Sequence, residues 1–500
     1  MNLLLVAPLL IPLAAAVLLL LLRFSLRAQY IISFIAGLSS LGAAIMLVHD
    51  VASLGIHVTR IGNWPAPFGI VLVADMLSAL MVILTSVIGF TVIVYSIIAV
   101  DKARQRFGYF PLLQILLMGV SGAFLTGDMF NLFVWFEVML IASFVLLVMG
   151  GERAQLQGAI KYVTLNLFSS ILFLIGIGIL YGKLGTLNFA DIAEKLSLTP
   201  DAHLINVSAV LFLVAFGIKS AIFPFFFWLP DSYHVPPVAV TALFSGLLTK
   251  VGIYALLRTF SMIFVYDAAF TQQLFLVLAG FTMVLGVIGA VAQGEMRRLL
   301  SFHIISQIGY ALMGLALFSH AAFSGAIYFI IHVAIAKTAL FFVTGYILAV
   351  RGQTELKHIG GFFKSAPVLA TLFLLAAFSL AGLPPFSGFF AKFMLVKAGL
   401  DAGQYAIVVV ALSVSVLTLF SMTKIWNEAF WKVDPATDGK GVIAFPALSK
   451  ALYFLPLIIL AALTLLMGIG AEWIFGLTGQ AATELLNPEL YIRAVLGGAL

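Results

Sequence analysis

The chain has no cysteine among its 500 residues. It can form no disulfide, no thiolate zinc site and no thiolate-held iron–sulfur cluster, so any redox centre working with it has to belong to another subunit. Charge is nearly as scarce: 9% of the residues are Asp, Glu, Lys or Arg, against about a quarter in soluble domains. With 63% apolar residues and a mean hydropathy of +1.18, a soluble globular class is excluded. The net charge of +6 and pI of 9.3 do not indicate nucleic acid, because the basic residues sit in short loops between apolar runs and form no stripe interleaved with aromatics. There is no His-Glu-x-x-His, no nucleophile elbow and no Walker sequence. The pattern Gly176-x-Gly178-x-x-x-Gly182 lies within an apolar run with no strand before it, where small residues let helices approach closely. Acids are scarcest at depth: of 20 acidic residues, only Glu137 falls in the middle of an apolar run.

In place of these features the chain carries runs of about 20 apolar residues, the length that crosses a bilayer as a helix. They fall at 3–22, 30–49, 71–99, 109–126, 130–150, 158–181, 204–228, 237–260, 272–293, 300–319, 323–350, 366–398, 404–426 and 450–475. The expected fold is an all-α polytopic membrane protein of about 14 transmembrane helices. The first run lacks a charged start and a cleavage site, so it reads as a span and not as a signal peptide. Two runs read as broken helices. One holds Lys219 and then Pro224; the other holds Pro384-Pro385 and then Lys392. Proline removes a backbone donor and frees a carbonyl that lipid cannot satisfy, so protein or water has to lie beside each break.

Lys and Arg crowd alternate loops, among them those carrying Arg23, Arg27, Lys102, Arg104, Arg106, Arg297, Arg298, Arg351, Lys357 and Lys364. By the positive-inside rule these loops are cytoplasmic, which puts both termini outside. Residues 50–70 read as an outer loop anchored by an interfacial Trp64. Phe189, Ile192, Ala193 and Leu196 recur at helical spacing among charges, which predicts a short amphipathic helix on the outer surface. Residues 427–449 form the longest polar cytoplasmic loop, suited to touching a neighbour.

Four lysines lie inside spans: Lys219, Lys250, Lys337 and Lys392, with His332 one turn before Lys337. Asp75 and Asp128 sit at span ends, where water is available. One mid-span carboxylate cannot neutralise four ammonium groups, and burial disfavours the charged form of each. A lysine that gains and loses its proton under these conditions is a relay. Plainer readings are a static ion pair for Glu137, lysines bridging backbone carbonyls, and satisfied polar contacts for His303 and His234. The two broken runs place lysine and proline in opposite order along the chain, which suits inverted repeats with ion sites at the midplane.

Glu137, Lys219-Ser-Ala-Ile-x-Pro224, Trp228-Leu-Pro-Asp-x-Tyr-His234, Pro236-Pro237, Leu247-Leu-Thr-Lys-Val-Gly252 and Gly382-Leu-Pro-Pro-Phe-Ser-Gly-Phe-x-x-Lys392 together resemble the antiporter-like, proton-translocating subunits shared by respiratory complex I, membrane-bound hydrogenases and Mrp-type cation/proton antiporters. The resemblance covers essentially the whole chain. The loop Gly62-Asn-Trp-Pro-Ala-Pro-Phe-Gly69, a length near 500, the absence of a long C-terminal extension and the lysine at 392, where the nearest complex I relative has glutamate, favour the Mrp branch.

The resemblance implies three leading helices over 1–108, two inverted five-helix repeats over 109–260 and 261–426, and a last part over 427–500 with a loop, a helix and a tail. It implies that Glu137 faces Lys219 and that Lys250, His332, Lys337 and Lys392 continue a hydrated line, with Pro224, Pro384 and Pro385 at the breaks. The implied protein is a multi-pass component of the cell inner membrane. It is a secondary transporter subunit and not an enzyme, it needs no cofactor, and its partners are H⁺, Na⁺, lipid and other membrane subunits. With a single mid-span carboxylate it reads mainly as the proton path, the sodium path being shared with or supplied by another subunit. The competing reading is a pumping subunit of a redox-driven complex.

Overall fold

The structure, a computed structural model, describes residues 3–198, 202–265, 268–435 and 446–497. Part of the expected loop 427–449, residues 436–445, lies outside the described residues. The chain opens with α1 (Leu3–Leu21) and α2 (Leu26–Leu54), followed by a hairpin of β1 (His57–Arg60) and β2 (Val71–Ala74) and then α3 (Met76–Ala99). There follow α4 (Tyr109–Leu125), α5 (Met129–Val148), α6 (Arg153–Leu184), the short α7 (Phe189–Leu198), α8 (Ala202–Ser220) and α9 (Trp228–Tyr233). Next come α10 (Val238–Met262), α11 (Ala268–Ala292), α12 (Met296–Leu317) and α13 (His320–Arg351). The chain continues with α14 (Pro367–Ala381), α15 (Ser387–Asp401), α16 (Tyr405–Trp431), α17 (Ala447–Ile469), α18 (Ala471–Leu486) and α19 (Pro488–Leu496). Among the described residues eleven helices are long and apolar enough to cross a membrane, and Tyr109–Leu125, Ile205–Ser220 and Pro367–Ala381 are shorter apolar helices.

Two pieces depart from the sequence expectation. The run at 71–99 is not helical throughout: Val71–Ala74 is a strand, paired antiparallel with His57–Arg60 in the segment expected to be a loop. β-Branched Val71 and Val73 suit a strand, and Asp75 then starts the helix by accepting the Ser78 amide at 2.9 Å in a capping box. The stretch after residue 470 is not a plain tail but two further helices, α18 and α19. The expected amphipathic helix is present as α7, and Trp64 is exposed.

Helix α13 is the centre of the packing. It touches α3, α10, α12, α14, α15, α17 and α18, and from Ala322 to Ile347 nearly every side chain is buried. Charges gather at the two ends of the bundle. At one end Arg104 pairs with Asp101 and Glu152, Lys161 and Arg298 share Asp231, and Arg351 pairs with Asp434. At the other lie the hairpin, α7 and α19, tied by Phe189 N to Gly127 O at 2.9 Å and by α7 against α19. One charge pair towards that end is buried: Asp75, which the sequence placed at a wet span end, meets Arg258 at 2.5 and 2.8 Å and is 1% exposed. Asp75 lies at the foot of α3 where the hairpin, α10 and α18 converge, so the folded chain removes the water expected there. Breaking a buried pair of this kind costs about 3–5 kcal/mol.

Of the glycines expected to bring helices together, only Gly176 is in a tight contact, against the Phe212 ring; Gly178 and Gly182 face open space. A closer approach lies elsewhere. A Cβ on Gly468 of α17 would collide with the Pro385 carbonyl oxygen and stand 2.9 Å from Phe386 C and Ser387 N, at the break between α14 and α15. Backbone on both sides cannot yield as a side-chain end can. Gly468→Ala is therefore expected to destabilise the purified protein by about 1–3 kcal/mol. Gly178→Ala should change stability by no more than about 0.5 kcal/mol. The thermal midpoints of the two variants in detergent, compared with the parent, check this.

Candidate functional site

The first break ends α8 at Ser220. Ala221 takes a left-handed conformation, φ 57°, and the chain turns through Pro224 to restart as α9. Carbonyls freed by the break are taken up locally. Ile218 O accepts the Trp228 indole at 3.0 Å and Gly217 O accepts Ile222 N at 3.0 Å, while Phe223 N donates to Thr282 Oγ1 at 3.0 Å. Lys219, on the last turn before the break, donates to Ser170 Oγ at 3.3 Å and lies 4.9 Å from the centre of the Phe136 ring. It borders a cavity of about 30 Å³ with Tyr162, Asn166, Trp228 and Tyr233, room for roughly two waters.

Glu137 follows Phe136 on α5 and is within electrostatic reach of Lys219. The two make no ion pair within 4.0 Å, and Glu137 Oε1 is buried with no hydrogen-bond partner. The pair is brought to the same region with its direct contact open.

The Lys219 cavity is closed on its far side by Leu248, Val251 and Gly252 of α10. Only glycine fits at 252, since a Cβ would strike Ser220 Oγ and lie 2.9 Å from Ser220 N. Within α10, Phe244–Leu248 winds as a π-turn, and the Lys250 ammonium donates to the Ser245 carbonyl inside that turn. Such turns free carbonyls from the regular ladder. Lys250 is within electrostatic reach of Lys337 on α13, whose Nζ donates to Leu300 O of α12 at 3.0 Å.

Beyond Lys337 the polar residues thicken. His332, fully buried one turn earlier on α13, bonds through Nδ1 to Ser387 Oγ at 2.8 Å, with Ser379 Oγ at 3.3 Å. The second break lies directly against it. Gly382 ends α14 with φ 89°, and Pro384 and Pro385 lead into α15. Lys392, in the second turn of α15, reaches back to the carbonyls left unpaired at the end of α14, Leu380 O at 3.0 Å and Ala381 O at 3.1 Å, and to Ser415 Oγ at 3.0 Å. Unpaired carbonyls at a helix C-terminus carry partial negative charge, so this is a favourable place for an ammonium.

Several groups in this line were not singled out from the sequence. His303, left open as an ordinary polar contact, is fully buried, bonds to Ser421 Oγ at 2.8 Å, and stands within electrostatic reach of both Lys337 and Lys392. Gln307, one turn on, has neither amide atom bonded. The signal was present: His303, Gln307 and Tyr310 on α12, and Tyr162, Asn166 and Ser170 on α6, recur at helical spacing on single faces. His234 bonds Pro230 O at the charged end of the bundle, away from the line.

The comparisons with known proteins give the family. A family model described as NADH:quinone oxidoreductase/Mrp antiporter, transmembrane, matches residues 126–418. A Na(+)/H(+) antiporter subunit of Alkalihalophilus pseudofirmus is 47% identical over 99% of this chain and 100% of its own length. Its namesake in Bacillus subtilis is 44% identical over 99% and 100%. A chain of the solved Mrp complex from a Dietzia species is 34% identical and superposes with a TM-score of 0.91 over 99% of this chain and 100% of that one. The buried lysine line with its two helix breaks, the family match from residue 126 to 418, and the near-full-length relatives lead to one conclusion: the chain belongs to the NADH:quinone oxidoreductase/Mrp antiporter transmembrane family.

Proposed function

We propose that the chain is the proton-translocating subunit of a multisubunit monovalent cation/proton antiporter of the Na⁺/H⁺ type, a secondary transporter working with other membrane subunits. The observation that carries this reading is how the four lysines are held. Each ammonium rests on neutral oxygens: Ser170 Oγ, Ser245 O, Leu300 O, or the Leu380 and Ala381 carbonyls with Ser415 Oγ. No carboxylate among the described residues clamps any of them, so each can lose a proton as an amine and keep donating with the hydrogens that remain. Along the same line buried polar atoms have no protein partner: Ser220 Oγ, Tyr233 OH, Thr249 Oγ1, His303 Nδ1, both ends of Gln307 and His332 Nε2. Buried polar atoms of this kind are where water is held. Lysines and water in succession make a relay.

Glu137 supplies the control. Two unit charges at about 4 Å and an effective dielectric near 20 attract by roughly 4 kcal/mol. Closing the Glu137–Lys219 contact favours the ammonium, and reopening it releases a proton toward Lys250. Lys337, His332 and Lys392 carry it on, and Pro224, Pro384 and Pro385 keep the two breaks, the second of which supplies the carbonyls under Lys392. A broken helix with its lysine in each half supports the two inverted repeats. Sodium prefers carboxylates, and Glu137 alone lies mid-span, so its path is shared with or supplied by another subunit. The names of the relatives favour the antiporter over a redox-driven pump.

In everted vesicles containing the whole complex, addition of NaCl should collapse an imposed acid-inside gradient. Lys219→Ala and Lys392→Ala should each slow this at least about tenfold, equivalent to about 1.4 kcal/mol of lost transition-state stabilisation, with the complex assembled in normal amount. Wild-type rates in either variant would refute the relay. A gradient built by an electron donor, with no response to sodium, would favour the redox-driven reading.

The expected location is the cell inner membrane with both termini outside, supported by the crowding of Arg and Lys in one set of loops. The chain has no native cysteine to confuse labelling. Gly497→Cys should react with a membrane-impermeant maleimide in intact cells, and Lys364→Cys only after the cells are opened; the reverse pattern would invert the topology.

A further inference from the structure

Lys250, Tyr254 and Arg258 stand four residues apart on α10 and so share one face of the helix. All three are buried. The face runs from the lysine line toward the end of the bundle that carries the hairpin and α19. Tyr254 OH donates to Phe124 O at 2.7 Å, and the Arg258 guanidinium, 3.3 Å from that hydroxyl, lies between the Tyr254 and Tyr491 rings, 5.4 and 5.3 Å from their centres. Arg258 then forks onto both oxygens of Asp75.

A second carboxylate caps the same helix. Glu484 of α18 accepts the Met76 amide at 2.7 Å, while Asp75 accepts Ser78 N, so two acids hold the start of α3. One guanidinium serves both. Other cations nearby are engaged elsewhere: Arg60 on Val495 O and Arg493 on Glu489. His320 of α13 turns to Gly479 O and to Thr483 Oγ1, the residue before Glu484. On α2, next to which Gln480 of α18 is anchored, His49 and Asp50 lie within 3.8 Å of each other. Gln480 also donates to Glu484 Oε1 at 3.2 Å. The cluster thus holds one more acid than base, and the excess falls on Glu484, which is the less buried of the two carboxylates.

We propose that Glu484 is the proton-exchanging carboxyl at this face of the chain, trading protons with the adjoining water and setting, through Asp75 and Arg258, the field felt by Lys250. The inference rests on the transport reading above. Arg258 is eight residues from Lys250, about 12 Å along the helix, close enough for a change of charge to act on the lysine without a continuous wire. Burial, and after it the charge of Asp75, lifts the Glu484 carboxyl to about 7. Burial would lift Asp75 too, but Arg258 outweighs it and holds Asp75 below the ordinary carboxylate range. Glu484 is then neutral below about pH 7 and charged above it, while Asp75 stays charged throughout. A helix tie alone would need neither the excess acid nor its partial exposure.

The test uses the assembled complex in proteoliposomes, with sodium-driven proton exchange followed while pH is varied on one side at a time. The wild type should show a transition near pH 7 that responds to only one compartment. Glu484→Gln keeps the size of the side chain and an acceptor for Met76 N; it should abolish that transition and slow exchange at pH 8 at least threefold. Glu484→Asp should retain a transition at a displaced pH. A Glu484→Gln complex with the wild-type rate and pH profile overturns the proposal. So does a Glu484→Asp profile without any transition, should the glutamine variant assemble too poorly to assay. Absence of sodium-driven exchange in the wild type would instead sink the transport reading, so the two failures are distinguishable.

Discussion

An ammonium group inside a bundle of apolar helices needs oxygen atoms, and regular helices have none to spare, because each carbonyl is already bonded four residues on. The rest of this structure follows from meeting that need. Lys219 sits where α8 stops, Lys250 against the carbonyl of a π-turn, and Lys392 on the two carbonyls exposed where α14 stops. Two ammonium groups reach across to a neighbouring helix instead, Lys219 to Ser170 Oγ and Lys337 to Leu300 O. At Lys250 and Lys392 helix irregularity and lysine are two sides of one solution: the irregular turn supplies acceptors for the charge, and the charge satisfies carbonyls that lipid could not.

Neutral acceptors have a functional consequence. A lysine clamped by a carboxylate would be held charged, and a row of such pairs would be a static ladder. Carbonyl and hydroxyl oxygens accept from an amine and from an ammonium alike, so the protonation state is left free to change. Close helix packing holds these positions. Gly252 lets α10 close on the broken end of α8, and Gly468 lets α17 close on the second break. The long helix α13 carries His332 and Lys337.

The carboxylates are set apart from this row. Glu137 lies near Lys219 without touching it, and Asp75 is spent on Arg258 and on the capping of α3. Where acids do cluster, at the foot of α3, they join elements distant in the chain: the hairpin before α3, the last turns of α10, and α18 near the C-terminal end. A chain with so few charges concentrates them where they decide something.

The sequence by itself determined the membrane class, because hydropathy over about 20 residues depends only on local composition. It also located the two breaks and the four lysines, since proline and charge within an apolar run are visible without any partner. The open gap between Glu137 and Lys219 was not legible, nor was the choice of oxygen acceptor for each ammonium, because both depend on how separate helices are placed. His303 and Gln307 looked like ordinary polar residues until α12 was packed against α13 and α16. The run at 71–99 looked like one helix until Val71–Ala74 found its strand partner in His57–Arg60. Glu484 lies 408 residues from Met76, whose amide it accepts, and Arg258 lies 183 residues from Asp75, yet all four meet around one helix start. Only tertiary structure could unite them, because long-range charge pairing leaves no periodicity in the sequence.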